Sequence, residues 1–199
     1  MAGLALAAWV VYVLVAFGWR TWLQVRRTGE SGFRGFSGGG PGRVAGALLM
    51  AGGLASFLAP IADLLGLLQP AGMLARPSVQ IAGLLVAALA IVLTTLAQLQ
   101  MGDSWRIGID PKEATELVTH GLFRSVRNPI FSGMLLAVAS LALLVPNLLS
   151  LLGAVLVALG LELHVRRVEE PHLIRVHGAR YREYAGSVGR FFPGVGCLR

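Results

Sequence analysis

Four long apolar stretches constrain the fold of this chain more than any other feature. They cover roughly residues 2–19, 45–68, 79–101 and 130–163. A membrane-spanning helix needs about 20 apolar residues, because each residue advances it by about 1.5 Å through a hydrocarbon core about 30 Å thick. The fourth stretch is too long for one crossing, and Pro146 with Asn147 predicts a turn at its middle. The sequence therefore predicts about five transmembrane helices, of which the last two form a helical hairpin over residues 130–163.

The composition excludes an ordinary soluble protein. Of the 199 residues, 55% are hydrophobic and only 14% are charged, so there is too little polar surface to cover a soluble globule. The formal net charge is +7, but the arginines lie beside apolar stretches rather than among exposed aromatic residues. This pattern does not resemble a nucleic-acid-binding site. We predict an all-α integral membrane protein with no nucleic-acid partner and, since Cys197 is the one cysteine, no intrachain disulfide.

The basic residues predict the orientation in the cell membrane. They concentrate in residues 19–44, in residues 102–128 and in the tail after Leu163, which alone holds seven arginines, whereas Arg76 is alone on the other side. The positive-inside rule places the three rich segments in the cytoplasm. We therefore expect the N-terminus outside, and a cytoplasmic C-terminal tail that is helical. The first stretch follows no basic leader, which favours a retained span over a cleaved signal.

The chain is predicted to form one domain over residues 1–199. Residues 1–101 supply three N-terminal membrane helices, and residues 102–199 supply the hairpin and the polar motifs. Residues 29–42 contain seven glycines but no Gly-Lys-Ser/Thr ending, so they predict a flexible loop rather than a phosphate-binding loop.

Polar residues gather at both ends of the hairpin. Arg127-Asn128-Pro129 precedes it, and Pro129 suits the first turn of a helix because its missing N–H would be unpaired there in any case. A helix start also offers free N–H groups and positive partial charge, which suit a carboxylate or a polar cofactor. Because the hairpin returns the chain to the same side, we expect Glu169 and Glu170 to lie level with Arg127 and Asn128 at the mouth of one pocket.

Structural interpretations of the same residues remain open at this point. Arg166 and Glu170 have the i,i+4 spacing of an ion pair on a helix surface, and Glu162 can also pair with Arg166. Trp105 follows the third span, where a tryptophan either anchors the helix at the membrane boundary or contacts a substrate.

Several motifs together resemble the isoprenylcysteine carboxyl methyltransferase family and its prokaryotic relatives. These motifs are Leu117-Val118-Thr119-His120-Gly121-Leu122-Phe123, Arg127-Asn128-Pro129-Ile130-Phe131-Ser132-Gly133, Glu169-Glu170-Pro171-His172-Leu173, His177-Gly178, Tyr181, Tyr184 and Arg190-Phe191-Phe192-Pro193. The resemblance covers residues 102–193 and depends on the order and spacing of the motifs around a helical hairpin.

The resemblance implies an S-adenosylmethionine-dependent methyltransferase. Its cofactor would enter from the cytoplasm and its lipophilic acceptor from the bilayer. The implied cofactor-binding residues are Thr115, Glu116, Leu117, Val118, His120, Gly121, Phe123, Arg127, Asn128, Pro129, Phe131, Glu169, Glu170, Tyr181 and Tyr184. The resemblance implies that Arg166, or Arg167 as an alternative, holds the acceptor; Trp105 and Arg106 are candidate acceptor-binding residues from their position just past the third span. Arg166 and Glu169 are the implied catalytic residues, and no metal is expected.

Asn128 stands where the eukaryotic enzymes have a histidine, and Phe123 and Phe131 stand where tyrosines are usual. The hydrogen bonds of those groups are therefore not expected here. A carboxylate or thiolate acceptor needs no general base, which suits a sequence with no Ser-His or Cys-His arrangement, and we predict one of these acceptors. An amine acceptor must first lose a proton, for which Glu169 or His120 would be the candidates.

Three other functions stay open from the sequence. The acceptor can be a phospholipid amine. The protein can instead be a membrane reductase similar to the sterol reductases, which would bind a nicotinamide nucleotide. It can also be a non-catalytic membrane protein that keeps the fold of an enzyme.

Overall fold

The computed structural model describes residues 1–35, 39–69, 72, 75–108 and 116–198, and these residues are mainly helical. The helices are α1 (Ala2–Val13), α2 (Arg20–Thr28), α3 (Gly39–Leu64), α4 (Pro77–Met101), α5 (Pro129–Leu144), α6 (Leu148–His164), α7 (Glu170–His177) and α8 (Ala179–Ser187). Two very short strands, β1 (Phe33–Gly35) and β2 (Ile107–Gly108), form one parallel pair. The predicted all-α class is confirmed.

Two π-helical turns join neighbouring helices into longer ones. Leu14–Trp19 connects α1 to α2, and Val165–Glu169 connects α6 to α7. A π-helical turn accommodates an extra residue in an otherwise α-helical segment, and such turns occur frequently at functional sites.

Four continuous helices have the length and the apolar composition needed to cross a membrane. They are Ala2–Thr28, Gly39–Leu64, Pro77–Ser104 and Leu148–His177. The fifth apolar helix, Pro129–Leu144, is shorter, with 16 residues. The expected hairpin is present, but its second arm extends beyond the predicted end at residue 163, because the helix continues to His177. Buried Val165 and Val168 and an ion pair between Glu162 and Arg166 support this continuation beyond the apolar stretch.

The long helices pack through small residues. Helix α3 lies along α6, and α4 lies along α5. A Cβ atom added at Gly52 of α3 would come 2.8 Å from the backbone nitrogen of Val157, and one at Gly160 of α6 would come 3.1 Å from that of Leu49. Glycine therefore allows these two backbones to approach more closely than larger residues would, as is common between membrane helices.

The turn of the hairpin has the expected position. Asn147 caps α6: its side-chain oxygen accepts a hydrogen bond from the Ser150 backbone N–H at 3.0 Å, and the Asn147 backbone N–H donates to the Ser150 hydroxyl at 3.2 Å. The Asn147 side-chain nitrogen donates to the Ala59 carbonyl at 2.9 Å, so the turn is also held against α3. Pro129 is the first residue of α5, as predicted.

The predicted glycine-rich loop over residues 29–42 is wrong in its last four residues. Helix α3 already begins at Gly39 and includes Pro41, which fits the first turn of a helix without loss of a hydrogen bond.

Candidate active site

A buried ion-pair cluster connects the two ends of the hairpin. The carboxylate of Glu170 accepts hydrogen bonds from Arg127 Nη2 at 2.8 Å, from Arg190 Nε at 2.8 Å and from Arg190 Nη2 at 3.2 Å. All three residues are buried. A charge left in such a place without its partner is strongly destabilising, so each member of the cluster depends on the others.

The same cluster holds the C-terminal tail against the start of α5. Arg127 Nη1 donates to the Ala185 carbonyl at 2.6 Å, and Arg127 Nη2 donates to the Gly196 carbonyl at 2.8 Å. The Ser132 hydroxyl donates to the Phe191 carbonyl at 2.6 Å. The tail therefore forms one wall of the space between the hairpin ends.

This space contains a cavity of about 130 Å³, here called the polar cavity because most of its described lining residues are polar or charged. The described residues that line it come from the end of α4, the segment before α5, the beginning of α5, the α6–α7 helix and α8: Met101, Arg106, Glu116, Leu117, Val118, Phe123, Arg127, Asn128, Phe131, His164, Glu169, His172, Leu173, Tyr181 and Tyr184. It thus collects aromatic rings, cations, two carboxylates and an amide around one small volume.

The π-helical turn determines which residues of the α6–α7 helix face the cavity. His164 and Glu169 are five positions apart, which in a regular α-helix would place them about 140° apart around the axis. The turn at Val165–Glu169 brings both to the same cavity. Arg166 and Arg167 are exposed instead.

Arg127 lines the polar cavity with an unused donor. Its Nε is buried and has no hydrogen-bond partner among the described residues, although its two terminal nitrogens are bonded. A buried donor without a partner costs about 1–3 kcal/mol. An oxygen atom of a bound ligand would remove that cost.

A second, apolar cavity of about 660 Å³ lies between α1, α3, α4, α5 and α6. Its outer lining includes exposed residues from both α3 and the helix that starts with α1, namely Val10, Leu14, Met50, Leu54 and Phe57. The cavity therefore opens between α1 and α3 on the apolar outer surface of the protein.

The two cavities meet at three residues. Arg106, Phe131 and His164 line both of them. The rings of Phe131 and His164 pack edge to face, with their centroids 6.2 Å apart. We call these three residues the junction. Among the described residues, these are the ones beside which a ligand in the apolar cavity can contact a ligand in the polar cavity.

Comparison with known families identifies the part of the chain that builds this arrangement. Residues 79–180, just over half of the chain, match the family model described as phospholipid methyltransferase. The chain belongs to the phospholipid methyltransferase family. No individual curated protein matches it. The match includes both arms of the hairpin and every described lining residue of the polar cavity except Tyr181 and Tyr184, and it supports the membrane methyltransferase class that the sequence motifs implied. The narrower resemblance to isoprenylcysteine carboxyl methyltransferases stays a prediction.

Most of the cofactor-binding residues predicted for this methyltransferase lie together. Those that line the polar cavity are Glu116, Leu117, Val118, Phe123, Arg127, Asn128, Phe131, Glu169, Tyr181 and Tyr184. Thr115 lies outside the described residues. Among the residues that the structure describes, no three His, Cys, Asp or Glu side chains form a group that would hold a metal ion.

Four predicted cofactor residues do not line the polar cavity. His120 is exposed, and Pro129 is buried in the first turn of α5. The structure requires glycine at position 121: its φ is +59°, and a Cβ there would come 2.4 Å from the side-chain oxygen of Gln100. That oxygen accepts a hydrogen bond from the Leu122 N–H at 2.8 Å.

The fourth is Glu170, whose carboxylate is occupied by Arg127 and Arg190. The predicted convergence of the hairpin ends is thus observed, with Arg190 from the tail as an additional partner of Glu170. The alternative i,i+4 pair between Arg166 and Glu170 is not formed.

The predicted acceptor residues divide in a similar way. Trp105 lines the apolar cavity, and the guanidinium of Arg20 lies 4.5 Å from the centroid of its ring. Arg106 lies at the junction. Arg166 lines neither cavity: it is exposed and pairs with Glu162, because the π-helical turn directs it away from the hairpin interior. The prediction that Arg166 contacts the acceptor is therefore not supported by its position, nor is the alternative, Arg167.

Sequence reasoning missed four residues of the polar cavity: Met101, His164, His172 and Leu173. Helical spacing could have found two of them, because His172 and Leu173 lie three and four positions after Glu169. His164 could not be found by this rule, because its position depends on the π-helical turn.

Burial and neighbouring charges shift the pKa values of groups near the polar cavity, among them Arg190 and Tyr184. Burial alone would lower the pKa of Arg190, but the hydrogen bonds and charge of Glu170 outweigh it, so the pKa is raised. Burial raises the pKa of Tyr184 to about 12, although the positive charge of Arg127 opposes this shift. The Tyr184 hydroxyl donates to the Phe123 carbonyl at 2.6 Å, so a neutral phenol connects α8 to the turn before α5.

Proposed function

We propose that this membrane methyltransferase uses S-adenosylmethionine, bound in the polar cavity, and transfers its methyl group to a lipophilic acceptor in the apolar cavity. One observation carries the proposal: an apolar cavity and a cavity lined mostly by polar and charged residues share the three junction residues. A reaction between a polar donor and a lipophilic acceptor requires such a meeting point.

The polar cavity has groups that suit this donor. The carboxylate of Glu169 suits an ammonium group, and the buried Nε of Arg127 suits a carboxylate oxygen. The rings of Phe123, Tyr181 and Tyr184 suit a purine and a cationic sulfonium. The volume of about 130 Å³ is below the roughly 300 Å³ at the lower end of ligand pockets. We therefore expect donor binding to widen the cavity.

When bound, S-adenosylmethionine supplies a methyl carbon on a positively charged sulfur, which leaves as a neutral thioether. The protein has to align the acceptor with that carbon and to exclude water. Alignment of two bound reactants can lower a barrier by about 7–11 kcal/mol. The apolar lining of the larger cavity excludes water, and the junction residues fix the place where the reacting atoms meet.

Arg106 bears on the choice of acceptor. Its positive charge at the junction attracts an anionic head group, which favours a carboxylate or thiolate attached to an apolar chain. The second candidate is a phospholipid amine, and the family match favours it. A neutral amine with an acyl chain would also fit an apolar cavity of about 660 Å³.

The expected orientation, with the N-terminus outside and the C-terminus in the cytoplasm, is part of the proposal. It would place the polar cavity and its arginine-rich tail on the side where S-adenosylmethionine is made. Accessibility of tags at the two termini in intact cells tests it. A C-terminal tag that is reachable from outside would contradict it.

The main experiment measures cofactor binding. In purified protein, S-adenosylhomocysteine at a hundredfold excess over its Kd should stabilise the fold by about 2.7 kcal/mol, and NADPH should have no effect. Glu169→Gln should weaken this binding roughly 10- to 100-fold, because a hydrogen bond to a charged group contributes about 1.5–3 kcal/mol. Glu183→Gln, an exposed carboxylate on α8, is the matched control. Stabilisation by NADPH alone would overturn the proposal in favour of a reductase.

The acceptor is identified by transfer of a labelled methyl group. Alkyl carboxylates, thiols and amines of equal chain length, together with native lipids, are offered in parallel. Label in the carboxylate or thiol supports the first candidate, and label in the amine or in a phospholipid amine supports the second.

A further inference from the structure

His164 is the one junction residue whose side chain can accept a proton near neutral pH. Arginine stays protonated in proteins, so Arg106 cannot act as a base, and the ring of Phe131 has no site for a proton. A neutral imidazole has a nitrogen that accepts, and its ordinary titration range includes physiological pH. We infer that His164 accepts the proton that the acceptor loses, and that the acceptor carries this proton on nitrogen or sulfur. The inference rests on the proposed function.

The position of His164 distinguishes it from the bases considered from the sequence. His164 is buried and lines both cavities. Glu169 lines only the polar cavity, and His120 is exposed and lines neither. A base must be within hydrogen-bond reach of the proton it removes, or one water away. Since the acceptor atom comes from the apolar side, His164 is better placed than either.

The charged groups around the junction act on both partners of this transfer. Arg106 faces the same space; it disfavours a protonated amine, because like charges repel, and it favours a thiolate over a thiol, because opposite charges attract. Its charge also disfavours a protonated imidazole. Glu169, five positions along the same helix, opposes that effect when it is ionised. The other titratable side chains that line the two cavities among the described residues are Tyr12, Glu116, Arg127, His172, Tyr181 and Tyr184.

The step balances as follows. The lone pair of the acceptor nitrogen or sulfur forms a bond to the methyl carbon while the carbon–sulfur bond of the donor breaks, and its electron pair stays on the donor sulfur. The proton of the acceptor moves to a ring nitrogen of His164, which becomes an imidazolium. One methyl group thus replaces one proton on the acceptor. The imidazolium then releases its proton through the polar cavity before the next turnover.

The kinetic test uses His164→Gln, which keeps a polar side chain of similar length but cannot take up the proton. With an alkyl thiol or alkyl amine, we expect kcat to fall by about 10²- to 10⁴-fold and the acid limb of the pH profile to disappear. The Kd for S-adenosylhomocysteine, measured separately, should change far less than kcat. His177→Gln, at the end of α7 and outside both cavities, is the matched control and should retain the pH profile. An unchanged rate and pH profile in His164→Gln would overturn the inference, as would methyl transfer to an alkyl carboxylate alone.

A second measurement does not depend on the variant being folded or on turnover. The chain has four histidines, so isotope labelling of histidine gives a simple NMR spectrum of the wild-type protein. We expect the His164 ring signals to shift on addition of S-adenosylhomocysteine and, separately, on addition of an alkyl thioether. Signals that respond to only one of the two ligands would overturn the inference.

Failure of the inference can be distinguished from failure of the proposed function. If S-adenosylhomocysteine binds and methyl transfer occurs, but His164→Gln behaves as the wild type, only the role of His164 is lost. If S-adenosylhomocysteine does not bind to the wild type, the proposed function fails and the role of His164 fails with it.

Discussion

Arg127 and Glu170 are 43 positions apart in the sequence, yet their buried side chains are joined by a hydrogen bond of 2.8 Å between Nη2 and Oε1. This pair closes the hairpin at its polar end. Arg190 from the tail shares the same carboxylate, so the two hairpin arms and the tail meet at one charged group. The walls of the polar cavity depend on these contacts of Arg127 and Arg190 with the Glu170 carboxylate.

Glu170→Ala is expected to destabilise the fold more than it alters the lining of the polar cavity. It leaves the buried guanidinium of Arg127 without a carboxylate and that of Arg190 with Glu162 alone, at 3.2 Å, and breaking a buried ion pair costs about 3–5 kcal/mol. Thermal unfolding in detergent measures the loss, and limited proteolysis should show earlier cleavage of the tail. Glu169→Gln is the neighbouring control, and it should affect cofactor binding with little change in stability. Equal destabilisation by both variants would contradict the structural role of Glu170.

Gly53→Leu is expected to block part of the apolar cavity. Gly53 lines this cavity, and a Cβ atom at Gly53 would meet no atom within 4 Å, so a larger side chain enters open space without moving the backbone. The KM for a long-chain acceptor should rise several-fold, while the Kd for S-adenosylhomocysteine should not change. Gly53→Ala, which adds one methyl group, should resemble the wild type. A changed Kd for S-adenosylhomocysteine would show that the two cavities are not separate.

Gly133→Ala is expected to loosen the packing of α5 on α4. A Cβ at Gly133 would lie 2.0 Å from the Thr94 hydroxyl oxygen and 3.3 Å from the Ala90 carbonyl oxygen. The Thr94 hydroxyl is in turn hydrogen-bonded to the Tyr12 hydroxyl at 3.1 Å, so it cannot move without loss of that bond. Overpacking of this kind costs about 1–3 kcal/mol, which thermal unfolding can measure. Gly3→Ala, where a Cβ meets nothing within 4 Å, is the control, and a similar result for the two variants would contradict the prediction.

Tyr184→Phe is expected to weaken the attachment of α8 and to change the stability at alkaline pH. The lost hydrogen bond to the Phe123 carbonyl contributes about 0.5–1.5 kcal/mol. In the folded protein the phenol of Tyr184 keeps its proton up to a pKa of about 12, whereas in the unfolded chain it ionises near its ordinary value of 10.0. Its stabilising contribution is therefore complete below pH 10 and is lost as the pH rises through 12. Unfolding measured between these pH values should show a smaller decline in Tyr184→Phe than in the wild type, and an equal decline would contradict it.

The sequence predicted the features that follow from long apolar stretches. A span of 34 residues with Pro146 and Asn147 at its middle has to fold into a hairpin, and a hairpin has to return its ends to the same side. The meeting of Glu170 with Arg127 follows from that geometry alone, as does the start of α5 at Pro129.

Three features could not be predicted. No residue pattern indicated the extra residue in the π-helical turn at Val165–Glu169, so Arg166 was expected at the site and His164 was not. The apolar cavity is lined by Leu, Val and Met side chains from several helices, and the faces of those helices look alike in sequence. The role of Glu170 also depended on Arg190, a partner 20 positions away in the tail.

The opening of the apolar cavity beside Leu14 and Leu54 has a practical consequence for anyone who assays this protein. In a detergent extract, this opening is surrounded by the densely packed surfactant tails of the micelle. A surfactant whose tail fits the opening will compete with the natural acceptor. The measured acceptor selectivity will therefore depend on the surfactant as well as on the protein. Rates compared across several surfactants of graded tail length, or in lipid nanodiscs, will separate the two contributions.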